Sequence, residues 1–75
     1  MDELLKRITV DPEVMVGKPV VRGTRIPVEV ILRELANGLT VDEIIEAYPR
    51  LTRDDIRAAN AYAARVVADE DIYVS

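Results

Sequence analysis

Two groups of cations in this 75-residue chain have the types and spacing to grip phosphate. Lys18, Arg22 and Arg25 punctuate the segment Gly17-Lys18-Pro19-Val20-Val21-Arg22-Gly23-Thr24-Arg25-Ile26-Pro27-Val28, and Arg50, Arg53 and Arg57 recur three and four residues apart further on. An arginine forks onto a phosphate or a guanine edge, and a lysine offers a point charge. Such contacts must be local here, because the formal net charge is −4 and unspecific affinity for DNA comes mainly from cations that displace counterions. Each group also has a plainer reading. The first arginines and lysine belong to an arm that could instead pair with its counterpart in a second chain and cover a strand edge. The second group fits solvated arginines on an ordinary helical corner.

A third group is acidic. Asp69-Glu70-Asp71 is followed by Ile72-Tyr73-Val74, an order suited to docking on a basic partner or adding a strand to its sheet. It is not read as a metal site, since consecutive helical carboxylates point apart and no second cluster completes a shell. With no cysteine and no histidine, disulfides, thiolate chemistry, imidazole ligands and Ser-His triads are excluded. No nucleophile and base pair is legible, so neither an enzyme nor a cofactor is expected.

Hydrophobic residues make up 49%, charged residues 32% and aromatics 4%, a globular balance whose core must be Val, Ile, Leu and Ala. A chain this short has a thin core, so a homodimer or a tight partner is expected. Eight of the ten cations lie between Lys18 and Arg65, and both ends are acidic. No run is long and apolar enough to span a membrane, and Met1-Asp2-Glu3-Leu4-Leu5-Lys6-Arg7 lacks the order of a secretory signal. A cytoplasmic address is the expectation.

The elements that must hold these groups are mostly helical. Residues 1–26 read as a β-arm: Arg7-Ile8-Thr9-Val10 as a short strand in preference to a helical turn, then Val14-Met15-Val16 and Pro19-Val20-Val21-Arg22 as a hairpin around Gly17-Lys18. Residues 27–68 read as three helices. The first starts with Pro27 in its first position, carries Val28, Ile31, Leu32 and Leu35 on one face, and stops at Asn37-Gly38. The second and third share one start signal. Thr40 with Glu43, and Thr52 with Asp55, form capping boxes, with Leu39 and Ile44, and Leu51 and Ile56, as staples. Tyr48-Pro49 separates the two helices. The third helix is expected to bury Ile56, Ala59, Ala63, Val66 and Val67 and to turn Arg53, Arg57, Ala61 and Arg65 outward, with Ala58 and Ala64 at the margins. Residues 69–75 form the tail.

A short capped helix, a bend and a longer capped helix make a helix-turn-helix, whose second helix offers its N-terminal residues to the major groove. Arg50, Arg53, Arg57 and Ala61, with Lys18, Arg22 and Arg25 from the arm, are the candidate DNA contacts. Asp54 and Asp55 oppose this reading at the start of the same helix, where they suit its dipole but repel phosphate. Thr24 is assigned no chemical role beyond a turn or cap.

With these residues in view, the chain resembles the domain-of-unknown-function family 433, also described as VapB-type antitoxin-like. The resemblance rests on Ile8-Thr9-Val10-Asp11-Pro12, the arm from Gly17 to Val28, Gly38-Leu39-Thr40-Val41-Asp42-Glu43-Ile44, Tyr48-Pro49-Arg50-Leu51-Thr52 and Asp55-Ile56-Arg57-Ala58-Ala59. Where the family has a glycine pair in the arm, this chain has Val16-Gly17. The similarity implies a homeodomain-like or winged helix-turn-helix, and the antitoxin half of a pair whose toxin resembles a PIN-domain ribonuclease. The expectation is therefore a mainly α, dimeric helix-turn-helix antitoxin. It would bind operator DNA through the third helix and a PIN-like nuclease through Asp69, Glu70, Asp71, Ile72, Tyr73 and Val74. The alternative is a protein-interaction module that neutralises a partner without meeting DNA.

Overall fold

The computed structural model of the chain describes residues 2–13 and 15–69. Its elements run α1 (Asp2–Leu5), β1 (Ile8–Val10), β2 (Pro19–Val21), α2 (Val28–Ala36), α3 (Val41–Ala47) and α4 (Arg53–Asp69). The protein is thus mainly helical, with one small antiparallel sheet near its N-terminus. The three expected helices are α2, α3 and α4.

The arm differs from its expected layout. β2 pairs with β1, in the register Ile8 with Val21, Thr9 with Val20 and Val10 with Pro19, and not with residues just before Gly17. Met15–Gly17 forms a 3-10 turn instead. Val16 (φ 56°) and Gly17 (φ 78°) are successive left-handed residues, which reverse the chain and cannot continue a strand. Asp11 also takes the amide of Glu13 at 2.9 Å, closing a local turn after β1. A short helix, α1, precedes the sheet where only strand was expected; Asp2 and Glu3 stand in its first turn, where they complement its dipole.

The arm is part of the core. Ile8 and Val21 join Val28, Ile31, Ile44, Leu51, Ile56, Ala58 and Ala59 in one core cluster, and Leu4, Tyr48 and Tyr62 pack on its margin. Beyond β2 the chain doubles back. Val21 N donates to Ile26 O at 3.0 Å, and Val20 bridges Pro27. The Val21–Thr24 turn has Gly23 at φ 81°, a conformation that favours glycine at the third turn position. Thr24 locks it, donating its hydroxyl to Val21 O at 2.7 Å and accepting from Ile26 N at 3.0 Å.

Pro27 is extended (ψ 146°) and caps α2 from outside, one position earlier than expected, because its bridge to Val20 holds it in β geometry. At the other end Leu39 N reaches Glu34 O at 3.1 Å and Gly38 N reaches Leu35 O at 3.0 Å. With Gly38 at φ 93°, this is a Schellman ending. Both capping boxes form. Thr40 and Glu43 bond reciprocally at 2.9 and 3.1 Å, as do Thr52 and Asp55 at 2.9 and 3.2 Å.

α4 is buried differently from the pattern read in sequence. Ala58 and Ala61, expected at the margin and on the outer side, are covered, whereas Val66 and Val67, expected in the core, are exposed. α1, α2, α3 and β1 all pack on this helix. Its first half is therefore enclosed on more than one side, and its last turns run past the other described elements.

Candidate nucleic-acid interface

The bend between α3 and α4 is built by short-range chemistry. Tyr48 leaves helical geometry (φ −128°, ψ 80°), as the residue before proline tends to, and Leu51 N closes the turn on Tyr48 O at 2.9 Å. Leu51, 2% exposed, anchors the bend in the core. Thr52 then starts α4, so Arg50, Arg53 and Arg57 stand around its leading end, all exposed.

Their partners define the electrostatics. Arg50 Nη2 donates to the Gly23 carbonyl at 3.0 Å, which docks the arm's turn onto the bend. Arg53 pairs with Asp42 of α3. Arg57 Nη1 lies 3.4 Å from Asp54 Oδ1, and Arg7 Nη2 lies 3.6 Å from the other oxygen of the same carboxylate. Arg7 Nη1 also reaches Asp55 Oδ1 at 3.1 Å. The leading end of α4 is thus a lattice of alternating charges rather than a bare cationic edge.

The arm's cations divide into two places. Arg22 and Arg25 flank the Gly23 turn beside Arg50. Arg22 spends its Nε on Lys6 O at 2.8 Å, and Arg25 is exposed with no ion pair or hydrogen bond among the described residues. Lys18 is elsewhere, against Glu29 of α2, where the two join Pro19 and Pro27 around a shallow apolar pocket. The hydrogen bond from Lys18, then its charge, holds the Glu29 carboxyl below the usual carboxylate range, with Arg33 adding to the effect. Ala61 is 6% exposed, which removes it from any contact surface.

Of the tail, Asp69 ends α4 and lies 3.5 Å from Arg65; Glu70, Asp71, Ile72, Tyr73 and Val74 lie outside the described residues. Among the described residues no group of three or more His, Cys, Asp or Glu is placed to hold a metal ion, and no helix is long and apolar enough to cross a membrane. Sequence reading missed Arg7 altogether. The capping role of Asp55 is written in a four-residue pattern, but its partner 48 positions upstream leaves no local signal.

Comparison with known proteins agrees with this architecture. A family model described as "Protein of unknown function (DUF433)" matches residues 8–63. The uncharacterized protein y4eO of Sinorhizobium fredii is 43% identical over 56 residues, 75% of this chain and 25% of that protein. An uncharacterized protein of Archaeoglobus fulgidus is 59% identical over 29 residues, 39% of this chain and 81% of the other. The crystal structure of a DUF433 member from Anabaena variabilis superposes with a TM-score of 0.76 at 33% identity, covering 85% of this chain and 63% of that one. The chain therefore spans a quarter of the Sinorhizobium protein and under two thirds of the Anabaena one. On the family match and the shared fold together, this chain belongs to the DUF433 family of unknown function.

Proposed function

We propose that this chain is a helix-turn-helix antitoxin that grips DNA with the leading end of α4 and the Gly23 turn together, and neutralises a PIN-like nuclease through its acidic, apolar-tipped tail. The observation that carries the DNA half is the Arg50 to Gly23 hydrogen bond. It docks the turn that Arg22 and Arg25 flank against the bend that carries Arg50, so arm and bend are offered to a ligand as one unit. The ion pairs of Arg53 and Arg57 do not forbid this role. Exposed pairs are worth about 0–1 kcal/mol, and a phosphate offers each guanidinium a better-matched acceptor.

Fluorescence anisotropy with DNA from upstream of the protein's own gene tests the reading. Arg53→Ala with Arg57→Ala should abolish binding, and Arg25→Ala should weaken it and lower the salt slope by about 1 per lost phosphate contact. Unchanged affinity at fixed salt would remove α4 from the interface.

A second reading, a protein-interaction module that never meets DNA, is favoured by one observation: Asp42 and Asp54 already occupy Arg53 and Arg57. In that case deleting Asp69 to Ser75 releases the partner nuclease while the promoter DNA shows no binding by any variant. Neutralisation by the truncated chain would exclude the tail as the docking segment.

A further inference from the structure

β1 is paired along one edge only. β2 lies on its inner side, and the chain at Ile26 and Pro27 takes the far side of β2 through the Val21 amide and the Val20 bridge. The outer edge of β1 meets no strand among the described residues.

The phase of the ladder fixes which groups line that edge. Arg22 N donates to Arg7 O at 2.7 Å, which makes Arg7 and Arg22 a hydrogen-bonded pair, and such pairs alternate along an antiparallel ladder. With Ile8 facing Val21, Thr9 facing Val20 and Val10 facing Pro19, Thr9 turns its N–H and C=O inward to Val20, whereas Ile8 and Val10 turn theirs outward. The opposite strand agrees: Val21 N is spent on Ile26 O, and Val21 O takes both the amide and the hydroxyl of Thr24. Yet Ile8 is only 8% exposed, and a covered backbone group left unpaired is costly. Val10, on the same face of the sheet, keeps 53% of its surface accessible.

A second copy of β1 completes this edge in one register. About an antiparallel twofold axis at Thr9, Ile8 meets Val10 of the partner subunit, and each outward N–H finds an outward C=O. The neighbouring registers fail. An axis at Ile8 sets Val10 against the partner's Lys6, a residue whose N–H goes to Asp2 O at 3.3 Å and whose C=O goes to Arg22 Nε at 2.8 Å. An axis at Val10 sets Ile8 against the partner's Pro12, which has no N–H. The Thr9 register also brings Thr9 opposite the partner's Thr9 and Arg7 opposite the partner's Asp11. Arg7 Nε and Asp11 Oδ2 have no partner among the described residues, and threonine pairs and opposite charges stabilise facing positions of this kind. We infer that β1 pairs antiparallel with β1 of a second copy of this chain about Thr9, joining the two small sheets into one across an isologous interface. The pairing does not depend on the DNA reading.

Hydrogen exchange of the full chain, followed by nuclear magnetic resonance across concentration beside sedimentation, tests it. Wild type should dimerise, and the Ile8 and Val10 amides should exchange at least tenfold more slowly in the dimer than at dilution, while the Thr9 amide stays protected at both extremes. Val10→Pro removes an outward N–H and no intrachain one, so it should weaken self-association at least tenfold with helicity by circular dichroism unchanged. Should that variant misfold, cross-linking decides. The chain has no cysteine, and Cα atoms of facing residues in a non-hydrogen-bonded pair stand about 4.5 Å apart, within the span of a disulfide. Thr9→Cys should oxidise to a covalent dimer, whereas Glu46→Cys on α3 should not. A monomeric wild type, Ile8 and Val10 amides that exchange as fast in the dimer as at dilution, or equal cross-linking at residues 9 and 46 would overturn the pairing.

Discussion

Arg7, in the turn before β1, places Nη1 3.1 Å from Oδ1 of Asp55, while Oδ2 of the same carboxylate accepts the Thr52 amide at 2.9 Å. One buried aspartate thus caps α4 and ties the N-terminal segment to it. The Asp55 side chain is only 10% exposed, so removing it loses a cap and leaves Arg7 with only its longer contact to Asp54 at 3.6 Å. Asp55→Ala should cost about 1–3 kcal/mol. Asp55→Asn, which keeps an acceptor for Thr52, should cost less. A double-mutant cycle with Arg7→Ala, read by urea unfolding, should return a positive coupling between the two residues; strict additivity would mean that Arg7 does not stabilise the cap.

Val16 is left-handed, β-branched and 94% exposed. Its Cβ carries a steric penalty of about 1–2 kcal/mol in that region, and glycine removes it while adding about 0.5–1 kcal/mol of unfolded-state freedom. Val16→Gly should therefore raise stability by about 0.5 kcal/mol. A lower thermal midpoint in Val16→Gly would show that the valine contributes contacts of its own.

What the sequence makes legible follows how local each interaction is. Both capping boxes, the Asn37-Gly38 ending and the Pro49 bend each involve residues within about six positions, so their chemistry is written in adjacent letters. The strand pairing was misread because Ile8-Thr9-Val10 and Pro19-Val20-Val21 are joined by an eight-residue connection, and no pattern in a three-residue strand fixes its partner. Ala58 and Ala61 were misplaced for a related reason. Helical periodicity finds one apolar face, but it cannot foresee that α1 and β1 also pack on α4. The cationic candidates were found by type alone; the carboxylates that occupy them, Asp42 for Arg53 and Glu29 for Lys18, are tertiary neighbours.

The Thr40 backbone amide and hydroxyl hold the Glu43 carboxyl below the usual carboxylate range, and Lys18 does the same for Glu29. Both groups release their proton more readily folded than unfolded. Their stabilisation is complete above the unfolded carboxylate pKa and is lost as pH falls through the depressed folded values. Glu43→Gln and Glu29→Gln should each lower stability at neutral pH and flatten its fall on acidification. An acid limb as steep in the double variant as in wild type would assign acid sensitivity to other carboxylates.

Asp42 competes with any phosphate for Arg53, and Asp54 for Arg57. If DNA is the ligand, Asp42→Asn releases a guanidinium and removes a repelling charge, so promoter affinity should rise several-fold. An exposed pair worth about 0–1 kcal/mol allows a gain of up to roughly fivefold from release alone. Adding Asp54→Asn should raise affinity again, with a steeper dependence on salt as more phosphates are neutralised. The same substitutions should leave binding to a protein partner held by the tail unchanged. Measuring both affinities on one set of variants therefore separates the two readings: a gain confined to DNA supports the helix-turn-helix antitoxin, and no gain on any DNA leaves the charge lattice around α4 as a structural clasp.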